Sequence, residues 1–247
     1  MPLRYWLVMP AAGLSSRFGA DGPKQYAPLA GRTVIEWALA PFLADPRCAH
    51  IVVALGRDDT GWMQVAARLD AAGTSAVTTV GGGAQRSQSV RLALAALQGR
   101  AGLEEWVLVH DAARPCLAAH DLERLLGRLG AHPVGGLLAI PAADTLKRAE
   151  GGEGTGSGVA HTVDRSGLWR ALTPQMFRYG RLCAALDQAH AAGRFPSDEA
   201  QALEWMGEHP ALIEGAATNL KITSGEDLAL AAAVLAARGG QGRAGSS

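Results

Sequence analysis

The chain is poor in cysteine, in aromatic residues and in long hydrophobic segments. Its three cysteines form no C-x-x-C pair, which argues against a disulfide framework and a cysteine-rich zinc site. No uncharged hydrophobic segment reaches the roughly 18 residues of a membrane span, so we expect no membrane partner. Acidic and basic residues number 23 each, which argues against a surface built to hold nucleic acid. Composition therefore predicts a globular protein of the cytoplasm.

Lysine is also scarce, because Lys24, Lys147 and Lys221 are the only three among 23 basic residues. Arginine is the default cation of this chain. A lysine is therefore a mild indication that a position prefers a compact ammonium group.

Short hydrophobic segments alternate with amphipathic ones along the first 140 residues. The hydrophobic segments lack polar alternation, which is typical of strands buried on both faces of a parallel sheet. The predicted strands are residues 5–9, 50–55, 76–80, 106–110 and 135–140, and the predicted helices are 33–43, 59–71, 87–97 and 120–129. This order predicts a doubly wound α/β fold with ligands at the carboxyl ends of the strands.

The alternation stops after Pro141. Residues 142–170 hold a run of glycines between two more polar segments, and we interpret them as an extended β-hairpin arm. The predicted elements beyond the arm are helices over 178–192, 197–206 and 225–237 and a strand over 211–214. We expect a single domain over 1–238, with the arm inserted, and a flexible tail over 239–247.

A loop of small residues, 10–25, follows the first predicted strand. It has neither the G-x-G-x-x-G spacing nor the Walker spacing. The next glycine after Gly13 is Gly19, and the residue directly after Gly19 is Ala20 and not the lysine of a Walker loop. Backbone amides in such a turn can bind anionic oxygens, and Arg17 and Lys24 add two cations. The loop therefore predicts a binding site for a triphosphate.

The same loop resembles the A-A-G-x-x-x-R-[FM]-G…P-K-Q signature of nucleotidyltransferases that load a nucleoside monophosphate onto a phosphorylated small molecule. Further segments resemble motifs of the 2-C-methyl-D-erythritol 4-phosphate cytidylyltransferase family, in order, from about Leu7 to Leu235. They are GGAQRSQSV at 82–90, VHDAARP at 109–115, HTVDR at 161–165, TPQ at 173–175 and NLKIT at 219–223. The resemblance implies a Rossmann-like, mostly parallel sheet of the nucleotide-diphospho-sugar transferase type.

The resemblance also implies a reaction, the transfer of CMP from CTP to 2-C-methyl-D-erythritol 4-phosphate in the non-mevalonate isoprenoid pathway. Mg²⁺ or another divalent ion is the implied cofactor, with no protein ligand assigned. A phosphomonoester has a second pKa of about 6 and is largely dianionic at neutral pH, so its attack needs no general base. Fixed positive charge is needed instead.

The implied roles fall into three groups. Those of Arg17 and Lys24, at the transition state, agree with their place on the phosphate loop. The implied catalytic residues are Arg17, Lys24, Arg165 and Lys221; the nucleotide-binding residues are Ala11, Ala12, Gly13, Gly83, Ala84 and Ser89; and the substrate-binding residues are Asp111, Arg114, Thr145, Arg165 and Lys221. The family often carries acidic or polar side chains where this chain has Ala84 and Gln85, which matters only if a side chain reads the cytosine.

The arm is implied to form a homodimer by reaching over a second subunit, so that some acceptor-binding residues act in the partner's site.

Two of the implied residue roles have simpler alternatives. Asp111 could cap the following turn or hold a water on the metal, and Arg165 could pair with Asp164 or Glu153.

Three other functions are compatible with parts of the sequence. A cytidylyltransferase for another polyol phosphate, such as ribitol 5-phosphate, shares the first loop and H-D-A-A-R-P, but H-T-V-D-R with Asp144 and Thr145 upstream favours methylerythritol phosphate. A non-catalytic nucleotide-binding module should have lost a catalytic cation, and none is missing. The absent G-x-G-x-x-G argues against a nicotinamide-dependent reductase.

Overall fold

A seven-stranded sheet forms the centre of the molecule in a computed structural model that describes residues 3–13, 22–72, 76–151 and 156–244. The strands are β1 (Tyr5–Ala11), β2 (Pro28–Leu29), β3 (Arg32–Thr33), β4 (Cys48–Leu55), β5 (Val77–Gly81), β6 (Trp106–Val109), β7 (Gly135–Pro141), β8 (Leu146–Ala149), β9 (Val159–Val163), β10 (Trp169–Arg178) and β11 (Ala211–Glu214). The helices are α1 (Val34–Leu43), α2 (Trp62–Ala71), α3 (Arg86–Ala95), α4 (Ala119–Leu129), α5 (Tyr179–Ala191), α6 (Glu199–Glu204) and α7 (Gly225–Ala244), with a 3₁₀ turn over Lys24–Tyr26. The predicted α/β fold is confirmed.

The strands of the sheet follow the order β11-β7-β10-β6-β1-β4-β5. Only β10 runs antiparallel to its two neighbours, β6 and β7, while the other pairs are parallel. The carboxyl ends of β1, β4, β5, β6, β7 and β11 therefore meet at one edge, where sheets of this kind bind their ligands.

Both faces of the sheet are covered, as the continuous hydrophobic segments require. Along β1, Tyr5, Leu7 and Met9 pack with α1 and α4 on one side, while Trp6 and Val8 pack with α3 and α5 on the other. Because the period of a strand is two residues, one segment supplies both cores. The strand ends are thus held rigidly.

Strand β10 is absent from the sequence prediction. It lies in the middle of the sheet although it contains Pro174, a residue that usually marks an edge strand. The pairing with β7 is irregular between Ala171 and Gln175, and this break accommodates the proline, which has no backbone N–H to donate.

The predicted arm is a two-stranded hairpin of β8 and β9, in which Leu146 pairs with Val163. Its strands are almost wholly exposed. Of its glycine-rich tip, residues 152–155 lie outside the described part of the chain.

The last helix continues past its predicted end at Ala237, so residues 239–244 of the predicted tail are helical. Arg238 donates to the carbonyl of Cys116 (3.0 Å) and to Thr218 Oγ1 (3.1 Å), and these bonds hold the helix where the sequence predicts its end.

Candidate active site

A cleft of about 550 Å³ opens at the carboxyl edge of the sheet. It is bordered by the loops that follow β1, β5 and β6. Of the predicted site residues, those lining it are Ala11, Ala12, Gly13, Lys24, Gly83, Ala84, Ser89, Asp111 and Lys221. Residues more than 200 positions apart in the chain thus meet in one place.

The loop after β5 needs glycine at two positions, because Gly82 packs closely on the first loop and Gly83 packs closely on the start of α3. A Cβ at Gly82 would lie 2.3 Å from the Cβ of Ala12, and one at Gly83 would lie 2.5 Å from the Cβ of Gln88. The buried hydroxyl of Ser89 accepts a hydrogen bond from the Gly83 amide (3.1 Å). Ser89 therefore holds the backbone of this loop in place, and the loop presents main-chain groups to the cleft.

The first loop is braced where it borders the cleft. The buried Gln25 donates from Nε2 to the carbonyl of Ala11 (2.9 Å). Gln25 and Lys24 belong to one 3₁₀ turn, so the bond also sets the position of the Lys24 backbone at the cleft wall. Arg17, the other predicted cation of this loop, lies outside the described residues.

Asp111 is the centre of a charged network at the end of β6. Its Oδ1 lies 3.0 Å from Arg86 Nε, and its Oδ2 lies 2.9 Å from Lys221 Nζ and 3.6 Å from Arg114 Nε. Burial by itself would raise the pKa of Asp111, but these three cations together lower it far below its usual range. Asp111 is therefore a carboxylate at every pH of interest.

The backbone of Asp111 is fixed by a buried relay behind the cleft. The Asp111 amide donates to Thr173 Oγ1 (3.1 Å), and that oxygen lies 2.9 Å from His110 Nδ1. His110 Nε2 lies 3.1 Å from the carbonyl of Arg114. Since a carbonyl only accepts, Nε2 carries the proton and Thr173 donates to Nδ1. Burial lowers the pKa of His110 to about 4, so the ring is neutral and serves to fix the backbone of Asp111.

Arg114 lines a smaller cavity of about 200 Å³ that shares Arg86, Asp111 and Lys221 with the main cleft. Its Nη1 donates to the carbonyl of Asn219 (2.8 Å). That bond ties the segment carrying Lys221 to the loop after β6. Two of the three predicted cations for the acceptor phosphate, Arg114 and Lys221, thus meet at Asp111, while the third, Arg165, does not.

The sequence analysis missed Arg86, which lines the cleft, and the buried Glu199 behind it. Arg86 binds Glu199 with two hydrogen bonds, Nη1 to Oε1 at 2.7 Å and Nη2 to Oε2 at 3.1 Å. Burial alone would lower the pKa of Arg86, but Glu199 and Asp111 raise it above its ordinary value. Arg86 lies inside the motif at 82–90, and the sequence shows it as a cation next to the loop after β5, which we call the base loop. Glu199 has no local signal, because its partner is 113 residues away.

The remaining predicted site residues do not line this cleft. Thr145 and Arg165 lie on the exposed arm, and Arg165 Nη1 donates to the carbonyl of Ala143. The expected alternative partner Glu153 lies outside the described residues. Within one chain, the arm residues and the cleft residues are therefore separate groups.

The described residues do not form a metal centre. No cluster of three or more potential ligands occurs among them. Asp111 is the one carboxylate among the described residues lining the cleft, and both of its oxygens are paired with cations.

None of the helices in the described part of the chain combines the length and the apolar composition of a membrane span.

Comparison with known proteins agrees with this geometry. The family model described as 2-C-methyl-D-erythritol 4-phosphate cytidylyltransferase matches residues 5–237. Proteins of that name from Halorhodospira halophila and Ectopseudomonas mendocina are 53% and 52% identical, covering 95% and 93% of this chain and 95% and 94% of their own. A crystal structure of 4-diphosphocytidyl-2C-methyl-D-erythritol synthase is 36% identical with a TM-score of 0.80, covering 95% of this chain and 100% of that one. The chain therefore belongs to the 2-C-methyl-D-erythritol 4-phosphate cytidylyltransferase family, and the cytidylyltransferase function implied by its motifs is confirmed.

Proposed function

We propose that the cleft transfers CMP from CTP to 2-C-methyl-D-erythritol 4-phosphate by direct in-line displacement. The observation that carries this proposal is that one cleft contains the glycine loop after β5, Lys24 and the Asp111–Lys221 pair. These are a surface for a base, a cation for a triphosphate and a polar site for a hydroxylated phosphate.

The chemistry is a substitution at the α-phosphorus of CTP. An oxygen of the acceptor phosphate forms a bond to that phosphorus, the bond from it to the β-phosphate oxygen breaks, and pyrophosphate leaves. Two anions must meet, so the barrier is mainly electrostatic. We assign Lys24 and Arg17 to neutralising the charge that builds up on the phosphate oxygens.

Nucleotide recognition falls to main-chain groups at Ala11, Ala12, Gly13, Gly83 and Ala84. A backbone site is compatible with the small side chain of Ala84, because Ser89 holds the loop through the Gly83 amide and the Ala84 side chain takes no part in that bond. We therefore expect selectivity for cytosine despite the departure at Ala84 and Gln85.

The acceptor is assigned to the network around Asp111. Its ionised carboxylate can accept hydrogen bonds from the polyol hydroxyls, while Lys221 and Arg114 attract the phosphate. This favours substrate binding over the alternative of a turn cap, since the side-chain oxygens of Asp111 face cations and not the following backbone amides.

A divalent ion, Mg²⁺ or a similar one, is proposed to arrive with the nucleotide. Mg²⁺ is commonly held by substrate phosphates and waters with few protein ligands, and this suits a cleft whose described carboxylate is already paired. When bound, the ion supplies positive charge to the phosphate oxygens.

The arm is proposed to complete the site of a second subunit in a homodimer. It exposes four large hydrophobic side chains, those of Leu146, Val159, Leu168 and Trp169, which a second subunit could cover. Thr145 and Arg165 would then approach the acceptor from the partner.

We place this activity in the cytoplasm, where CTP is available and where the free cysteines stay reduced.

The test is pyrophosphate release from CTP and Mg²⁺ with methylerythritol 4-phosphate or ribitol 5-phosphate as the acceptor. We expect rapid release with the first acceptor, slow release with the second, and little with UTP in place of CTP. Release with ribitol 5-phosphate alone would keep the mechanism and overturn the substrate. Silence with both acceptors, in folded protein, would favour a non-catalytic nucleotide-binding module.

A further inference from the structure

Glu199 is a buried carboxylate to which the reaction assigns no task. It is the first residue of α6, is 1% exposed, and gives both of its oxygens to Arg86. Burying an ion pair is a weak source of stability, because desolvation offsets most of the attraction. Stability is therefore a weak explanation for the Glu199–Arg86 pair, and a role in the adjoining active site is the better one.

Arg86 has a third contact, and that contact reaches the active site. Two of its nitrogens are taken by Glu199, and the remaining Nε donates to Asp111 Oδ1 (3.0 Å). The guanidinium is planar, so the double bond to Glu199 fixes the direction in which Nε points. Glu199 thereby determines where Asp111 Oδ1 is held.

The support of Glu199 is itself rigid. Asp198 Oδ1 accepts from the Gln201 amide (2.9 Å) and caps α6, while its Oδ2 accepts from Gln175 Nε2 (3.0 Å). Gln175, on β10, also accepts from the Ala200 amide (2.8 Å). The start of α6 is therefore tied to the central sheet, and Glu199 has a fixed position from which to hold Arg86.

The two oxygens of Asp111 have separate partners. Oδ1 is bonded to Arg86, while Oδ2 faces Lys221 at 2.9 Å in the cleft. If Arg86 lost its charged partner Glu199, its nitrogens would turn toward the remaining carboxylate, Asp111, and draw it away from Lys221. The arrangement proposed to bind the acceptor would then be lost, although Asp111 and Lys221 are both present.

We infer that Glu199 is a positioning residue for the acceptor, acting through Arg86 on the carboxylate of Asp111. The inference rests on the proposed function, in which Asp111 and Lys221 bind the polyol phosphate.

Binding constants test this inference without depending on turnover. The Kd of methylerythritol 4-phosphate, in the presence of Mg²⁺ and a non-reactive CTP analogue, is measured by calorimetry beside the Kd of the analogue alone. We expect Glu199→Gln to weaken acceptor binding by about tenfold and analogue binding by less than about twofold. Glu199→Asp keeps the charge but shortens the side chain, and it should lie between the wild type and Glu199→Gln.

The chain offers a matched control in the pair of Arg91 and Asp187. Arg91 lies on the same helix as Arg86 and binds Asp187 through Nε (2.7 Å) and Nη2 (2.9 Å), but this pair is away from the cleft. Asp187→Asn should change neither binding constant. Thermal unfolding of all variants shows whether each is folded, and Glu199→Asp carries the test alone if Glu199→Gln does not fold.

Unchanged acceptor binding in folded Glu199→Gln would overturn the inference. So would an equal loss for acceptor and nucleotide analogue, which would mean that Glu199 supports the cleft as a whole. Failure of the proposed function is seen separately, because the wild type itself would then not bind methylerythritol 4-phosphate. In that case the same variants are measured with ribitol 5-phosphate. If the wild type binds neither acceptor, both proposals are overturned.

Discussion

The central polar residues of the cleft are buried and paired with distant parts of the chain, whereas the polar residues of the arm are exposed. In the cleft, Asp111 and Arg114 are buried on the loop after β6, and they pair with each other and with two distant parts of the same chain, Arg86 and the segment that carries Lys221. On the arm, Thr145 and Arg165 are exposed, and the bond of Arg165 to Ala143 stays within the arm.

The difference indicates which residues one chain can organise alone. Buried charges tolerate one geometry, since each unpaired group costs free energy, so the cleft is preorganised by its own fold. An exposed arginine in water has little to fix its direction. This agrees with our proposal that the arm residues act against a second subunit, and each prediction below separates the two regions.

The largest effect is expected at Lys24 of the cleft. Lys24→Met removes a cation from the proposed site of charge development, and kcat should fall by roughly 10² to 10³-fold. Lys147→Met is the matched change on the arm, where Lys147 Nζ donates to Thr162 Oγ1 at 2.7 Å, and it should change kcat by less than about twofold. Steady-state pyrophosphate release measures both. Similar losses in the two variants would contradict the distinction between the regions.

The second effect is a pH dependence of stability that originates behind the cleft. Burial lowers the pKa of His110 to about 4, so between pH 6.5 and 4 the unfolded chain binds a proton that the folded chain does not. Folding should therefore lose about 3 kcal/mol from this group as the pH falls through that range.

Urea unfolding at several pH values measures this loss. His110→Gln should lack the His110 component of the slope, while His161→Gln on the exposed arm should keep the wild-type slope. The lowered pKa of Asp111 acts in a different window, because its stabilisation is lost only below the unfolded pKa of about 4. An unchanged slope in His110→Gln would show that another group titrates there.

The third prediction concerns the arm. Arg165→Ala should raise the KM of the acceptor by about tenfold and leave the free energy of unfolding unchanged, because Arg165 is exposed. The informative measurement is subunit mixing with Lys24→Met. If the arm serves the partner's site, half of the randomly mixed dimers are hybrids with one intact site, and about a quarter of the wild-type activity returns. If Arg165 serves its own chain, mixing restores nothing beyond the residual activity of the Arg165→Ala subunits. The assay is run well below the KM of the acceptor, where a tenfold rise in KM lowers the rate about tenfold.

The smallest effect is expected from a single methyl group. Gly83→Ala would bring a Cβ to within 2.5 Å of the Cβ of Gln88, and the resulting shift of the base loop should raise the Kd of CTP about fivefold. Gly151→Ala on the arm is the control. Apart from its chain neighbours, no described residue has an atom within 4 Å of its Cβ position, and the arm is separate from the cleft. The substitution is strained at a φ of +72°, but CTP affinity should stay unchanged.

Local pattern was sufficient for most of the fold. Continuous hydrophobic segments predicted the buried parallel strands, and the loop motifs follow those strands in the sequence. Since parallel strands end at one edge, the motifs after β1, β5 and β6 had to converge. The assignment of Gly83, Ser89 and Asp111 to one cleft followed from this rule and from the family resemblance.

The sequence by itself therefore determined the α/β layers, the edge at which the site forms and the motif residues that line it. Only the tertiary structure decided that β10 enters the middle of the sheet despite Pro174, and that Glu199 fixes Arg86 against Asp111. The physical reason is range. Hydrophobic periodicity and turn residues act over a few positions, whereas the pairing of Glu199 with Arg86 spans 113 residues and exists only after the sheet and both helices have packed.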